Sequence, residues 1–272
     1  MPTHDAYLRR TPLERFLPDA AFGQRHYAAI RTEAEAKGIS LDDPGAFAML
    51  EAATAALDEV RHADDPPETL ARHALVLFHA FHLDALGSPA FLIDSALVRA
   101  LLDAESWDLS GSAGATAPSP LPAACYLQLP QHLIWVRSEG EDAAPASIDG
   151  FFRTLTDDGR MHLLPVVGLL EGRDGFTVLP LPGLPLSDAP TWATATMRQD
   201  GPDFASDLPG AEHEGLYEVC TAGEVLKLVA RLEEWLWQYS DALGAEAVAA
   251  DETVRPMPSA LRGRRLGVGA SA

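Results

Sequence analysis

The first hundred residues carry apolar side chains at steps of three and four, the spacing that places them on one face of an α-helix. Asp-Pro and Ser-Pro pairs mark helix starts, because proline is tolerated at the first helical position, and glycines mark the ends. The pattern predicts four helices, over residues 20–37, 45–62, 65–86 and 90–104. Their short connections indicate an antiparallel helical layer.

Beyond residue 122 the pattern changes to short apolar runs separated by Gly/Asp-rich turns, which is typical of antiparallel strands. It predicts strands near 124–129, 132–138, 148–155, 161–170 and 175–181. Pro165 conflicts with a central position for the fourth run, because proline donates no hydrogen bond to a ladder. We therefore expect a bulge at Pro165 or a later strand start, and a bulge or turn at Asp149-Gly150.

A capping box, Thr221 to Glu224, opens the last predicted helix. Its apolar stripe runs to Leu243, and the meandering sheet needs such a cover on one face. The sequence therefore predicts an α+β fold with an N-terminal layer of about four helices. A four- to six-stranded antiparallel β-meander follows, covered by a C-terminal helix.

The expected organisation is a helical region, a Ser/Gly/Ala/Pro-rich linker, a sheet with its covering helix, and a flexible tail. These occupy residues 1–107, 108–122, 123–244 and 245–272. The third predicted helix is apolar nearly all round, which leaves open that the helical and sheet regions share one core.

The charge balance narrows the possible classes of function, because the chain has 40 acidic and 20 basic residues and a net charge of −20. Such a field repels nucleic acid and anionic lipid. The exception is the segment from Arg255 onward, which holds four arginines and no acid. It either contacts an anionic partner, nucleic acid included, or associates with the acidic body of its own chain, and we favour the second interpretation.

The composition indicates the cellular compartment of the protein and the kind of genome that encodes it. The two cysteines form no CxxC pair, the first residues lack the apolar core of a signal peptide, and no apolar run is long enough to span a bilayer. We expect a cytoplasmic protein without membrane association. The basic residues are 18 arginines and 2 lysines, which is typical of a GC-rich bacterial genome.

His79 and His82 are spaced i, i+3 on a predicted helix, so both could reach one metal ion from one face, with a carboxylate such as Asp84 or Glu59. The ExxH pairs of di-iron bundles and the HExxH of zincins are missing. The alternative is two histidines at the edge of the helical layer, hydrogen-bonded to backbone or carboxylate, and no cofactor is expected.

Cys220 precedes the predicted start of the last helix, where the helix dipole favours a thiolate, and His213 lies seven residues upstream. The pair is a candidate for nucleophilic catalysis. The alternative is that Cys220 is a small buried apolar residue, as is expected for Cys125 in a strand.

Trp237 lies off the apolar stripe of the last helix, so it either packs against the segment 183–215 or is an interface residue. Two hypotheses follow, and whether the chain is an enzyme stays open. The first is a non-catalytic protein-interaction or regulatory module that binds a protein partner or self-associates. The second is an enzyme with a site between helices and sheet, metal-dependent at His79/His82 or cysteine-based at Cys220/His213.

Overall fold

A computed structural model describes part of the chain, and every structural statement below concerns that part. It comprises residues 28–29, 31–32, 35–36, 38, 78–79, 81–83, 86, 90–103, 119, 121–130, 133–136, 146–168, 176–178, 184–188, 216–238 and 264–266. The predicted helix 45–62 and the residues His213 and Asp84 lie outside it. Among these residues, none of the helices combines the length and apolar character needed to cross a membrane.

The described residues form one mixed sheet with helices on both faces. In chain order the elements are β1 (Ala90–Ile93), α1 (Ser95–Asp103), β2 (Ala124–Gln128), β3 (Trp135–Val136), β4 (Ala146–Leu155), β5 (Arg160–Gly168), β6 (Phe176–Val178), β7 (Leu184–Pro185), a 3-10 helix (Leu186–Asp188), α2 (Leu216–Gln238) and β8 (Arg264–Leu266). Further helical residues are 28–29, 31–32, 35–36, 78–79 and 81–83.

The strand order is β6-β5-β4-β2-β1-β8, with β3 paired to β4 and β7 paired to β5. The pairs among β2, β4, β5 and β6 are antiparallel, close to the predicted positions. However, β1 is parallel to both β2 and β8. The predicted purely antiparallel meander is therefore wrong, because a β1-α1-β2 crossover adds parallel strands to it.

The predicted N-terminal layer of four helices is also wrong. Residues 90–93, predicted as the start of the fourth helix, are the buried strand β1, and the helix begins only at Ser95. A parallel strand buried on both faces is a continuous apolar run, so it has no alternation to distinguish it from the helix that follows.

The two faces of the sheet carry different helices. Side chains of α1 and α2 pack with one set of alternate strand residues in a single core that contains Leu97, Val98, Leu101, Val225, Val229, Leu232, Cys125, Leu127, Phe151 and Leu163. The helical residues 78–79 and 81–83 lie on the opposite face, where the ring of His79 stacks on that of Phe152. The described elements therefore form three layers, helix, sheet and helix.

The irregularity of the sheet lies at Asp149 and not at Pro165. Register runs unbroken through the pair of Phe151 with Pro165, but it shifts between Ile148 and Gly150, leaving Asp149 as an extra residue. The Asp149 carbonyl accepts hydrogen bonds from the Leu129 amide at 3.0 Å and from Gln128 Nε2. This β-bulge lets the long strand β4 pair first with β3 and then with β2.

Pro165 fits without a bulge because of where the neighbouring strands end. The described pairs of β6 with β5 begin at Val166, and those of β7 end at Met161. On the side of β5 away from β4, Pro165 is therefore opposite neither of these short strands. Its missing N–H costs no ladder hydrogen bond on that side.

Candidate functional site

A buried ion pair lies between the sheet and α2. Arg153 of β4 is fully buried, and its Nε lies 2.7 Å from Glu233 Oε1 of α2. Its Nη1 donates to the Pro122 carbonyl at 2.8 Å, and its Nη2 donates to Ser119 Oγ at 2.7 Å. An isolated guanidinium in the interior would be costly, and these contacts compensate its lost hydration.

Ser119 completes this group, which we call the polar cluster: Ser119, Arg153 and Glu233. The Ser119 hydroxyl donates to Glu233 Oε2 at 2.6 Å and accepts from the Leu121 amide at 3.2 Å. Because its members come from the chain before β2, from β4 and from α2, the polar cluster joins three parts of the fold across the core.

A second buried arginine, Arg231 of α2, contacts the C-terminal end of α1. Arg231 is buried, and its Nη1 donates to the carbonyl of Leu101 and, at 3.3 Å, to that of Leu102. Carbonyls in the last turn of a helix have no partner within the helix, and a cation there is also favoured by the helix dipole. Helix α2 thus contacts both ends of the connection from α1 to β2, at Arg231 and at Glu233.

Cys125 is a core residue, as predicted. It is opposite Arg153 in the register of β2 and β4. Burial is the largest cause that raises the pKa of the Cys125 thiol to about 12; Arg153 lowers this pKa and Glu233 raises it. Because only the thiolate is nucleophilic, Cys125 stays a protonated, unreactive thiol near neutral pH.

The predicted metal candidates His79 and His82 lie on the opposite face of the sheet from the polar cluster. His79 is buried, and its Nδ1 lies 2.9 Å from Thr154 Oγ1. His82 is half-buried and contacts the ring of Phe78, with ring centroids 4.6 Å apart. A third histidine, His162, lies 6.4 Å from the same ring.

In the part of the chain that the structure describes, no three His, Cys, Asp or Glu side chains are grouped so that they could hold a metal ion. The alternative interpretation places both histidines at the edge of the helical layer with backbone or carboxylate partners, whereas His79 is buried and lies within hydrogen-bond distance of the Thr154 hydroxyl. Metal binding by His79 and His82 stays a prediction.

The buried position of His79 predicts a pH-dependent stability. Burial, and then the nearby His162 and His82, hold the pKa of His79 well below its usual 6.5. The unfolded chain therefore takes up a proton below about pH 6.5 that the folded chain does not, so stability is lost as the pH falls. We expect wild type to lose about 1 kcal/mol more than His79→Gln between pH 6.5 and pH 5.5, because the unfolded histidine is already half protonated at pH 6.5.

Urea unfolding at the two pH values measures this difference. His162→Gln is the matched control, because it leaves the burial of His79 unchanged and should retain most of the wild-type pH dependence. Equal pH dependence in wild type and His79→Gln would show that His79 is not the group responsible.

The structure places Cys220 inside the last helix, and not before its start as the sequence predicts. Helix α2 begins at Leu216, so Cys220 lies more than one turn inside it. The favourable effect of the helix dipole on a thiolate falls off within the first turn, and this argument for a reactive Cys220 no longer holds. The side chains of Cys220 and Trp237 lie outside the described residues, and their proposed roles stay predictions.

Sequence reasoning missed the polar cluster, although the sequence carries a signal for it. Arg153 follows Phe151 by two residues in β4, so the alternation of side chains places both on the apolar face of the strand. Glu233 likewise follows Val229 by four residues and precedes Leu236 by three, which places it beside the apolar stripe of α2. An acid and an arginine that both face one core are expected to pair.

The second candidate site is the β1 edge, by which we mean the backbone of Ala90–Ile93 on the side away from β2. It is occupied by β8, which pairs in parallel through Phe91 with Arg264, Leu92 with Arg265, and Ile93 with Leu266. The occupant comes from the Arg-rich segment after residue 255, far along the chain. The β1 edge therefore accepts an extended segment by main-chain pairing.

Comparison with protein-family models, with curated proteins and with solved structures finds no match to this chain.

Proposed function

We propose that the protein is a non-catalytic interaction module that binds an extended peptide segment of a protein partner as an added strand at the β1 edge. The observation that supports this proposal is β8, a three-residue segment paired in parallel to β1. Strand addition draws its affinity from main-chain hydrogen bonds, and any segment free to extend can make them.

The β1 edge is packed on several sides by its surroundings. All four residues of β1 are buried, and the strand pairs with β2 on its other side. The chain that links β1 to β2 is fixed by Arg231 at the end of α1 and by Glu233 at Ser119. A preorganised edge loses little conformational entropy when it accepts a strand, which favours binding.

The test uses the full chain with its own strand displaced. Successive residues of a strand direct their N–H groups to opposite sides, so the double substitution Arg265→Pro/Leu266→Pro removes a donor that faces β1 in either orientation. We call this chain the PP variant. We expect a labelled peptide with the sequence of residues 255–272 to bind the PP variant saturably in fluorescence anisotropy.

The matched control is the same peptide carrying both prolines, which should not bind. Circular dichroism confirms that the PP variant keeps its fold. The proposal fails if the peptide does not bind a folded PP variant, or if the proline peptide binds equally well.

A further inference from the structure

The occupant of the β1 edge differs in charge from the rest of the chain. Residues 255–272 contain four arginines and no acid. Since the whole chain has 20 basic and 40 acidic residues, residues 1–254 contain 16 basic and 40 acidic ones, a net charge of −24. The strand that pairs with β1 therefore belongs to a basic segment of a strongly acidic molecule.

We infer that the β1 edge selects an arginine-bearing, acid-free partner strand, and that residues 264–266 are a built-in competitor that such a partner must displace. This inference rests on the proposed function. An acidic body attracts a cationic segment and repels an anionic one over about one Debye length, roughly 8 Å at physiological salt. Main-chain pairing itself cannot distinguish sequences, so the surrounding charge supplies the selectivity.

Residues 264–266 are effective competitors because they are covalently joined to the rest of the chain. Residues 239–263 connect the end of α2 to β8. A covalent connection of this length keeps the competitor at an effective concentration on the order of 1 mM. For a peptide with a Kd of about 0.1 mM, wild type should therefore bind about tenfold more weakly than the PP variant, because only the fraction of chains with an open edge can bind.

The alternative occupant of the β1 edge is strand β8 of a second copy of the chain. Two bodies that each carry a net charge of −20 repel one another. This repulsion favours pairing of β8 within one chain over exchange between two copies.

The experiment titrates wild type and the PP variant with three peptides of residues 255–272, at low salt and at about 0.3 M salt. One peptide is native, one carries Arg264→Gln/Arg265→Gln, and one carries Arg264→Glu/Arg265→Glu. With the PP variant at low salt, we expect the Gln peptide to bind about fivefold more weakly than the native one and the Glu peptide not to bind. Added salt should weaken the native peptide most.

Each outcome decides a separate claim. Equal, salt-independent binding of all three peptides would overturn the charge selectivity while leaving strand addition in place. Equal binding of the native peptide by wild type and the PP variant would overturn the competitor role. A wild-type dimer that the PP variant does not form, measured by light scattering, would assign the β1 edge to tail exchange between copies. Failure of every peptide to bind would instead count against the proposed function.

Discussion

Replacing Arg153 by methionine is expected to lower the free energy of unfolding by about 3–5 kcal/mol. The substitution keeps most of the side-chain volume but removes the charge partner of Glu233, whose Oε1 lies 2.7 Å from the guanidinium. It also removes the donors to the Pro122 carbonyl and to Ser119. A buried carboxylate without its cation bears the full desolvation penalty, which is larger than the net contribution of the intact pair.

The double variant Arg153→Met/Glu233→Met separates these two quantities. It removes both charges, so it should be more stable than Arg153→Met alone and within about 2 kcal/mol of wild type. Arg99→Met is the control for arginine replacement, because Arg99 is exposed on α1, and its effect should stay within about 0.5 kcal/mol. Urea unfolding curves give all four values. Similar losses in Arg153→Met and Arg99→Met would show that the ion pair contributes nothing.

The antiparallel part of the sheet was predictable because each of its strands has a local signal. Strands β4 and β5 flank a turn with Gly159 at a φ of +79°, a conformation that glycine adopts without strain. Such turns and the alternation beside them lie within a few residues of one another. The positions of these strands and the pairing of β4 with β5 therefore follow from short stretches of sequence, whereas β2 pairs with β4 past the intervening β3.

The parallel strands were not predictable in this way, since their pairing is not local. Strand β1 is an unbroken apolar run next to a helix, and its partner β2 follows only after α1 and the long connection beyond it. Strand β8 has two arginines in three residues, which is no pattern of a buried strand. Its place in the sheet depends on the edge that β1 offers and not on its own propensity.

The contacts of the polar cluster were likewise not predictable, because they join residues that are far apart in the sequence. Alternation places Arg153 on an apolar face, but nothing local identifies Ser119 as its partner across the core. That residue lies in a segment predicted as a linker, and it is 34 positions from Arg153 in sequence. Long-range polar contacts of this kind become visible only once the register of β2 and β4 is known.

Replacing Gly150 by alanine is expected to lower the free energy of unfolding by about 3 kcal/mol, the upper part of the range for overpacked cores. A Cβ at this position would lie 2.5 Å from the Leu127 carbonyl oxygen, 2.6 Å from Tyr126 Oη and 2.9 Å from Tyr126 Cζ. The closest of these atoms belongs to the backbone of β2, so a side-chain rotation cannot relieve the contact. Strand β4 or β2 must shift, directly beside the bulge at Asp149.

The matched control is Gly159→Asn in the turn between β4 and β5. A Cβ there meets no atom within 4 Å, and asparagine tolerates a positive φ better than most residues. We expect that variant to lose about 1 kcal/mol or less, measured by the same urea unfolding. If Gly150→Ala loses no more than Gly159→Asn, the close approach of β2 to β4 does not constrain this position. A selective loss at Gly150 would instead show that the close contact of β2 with β4, beside the bulge, constrains this position.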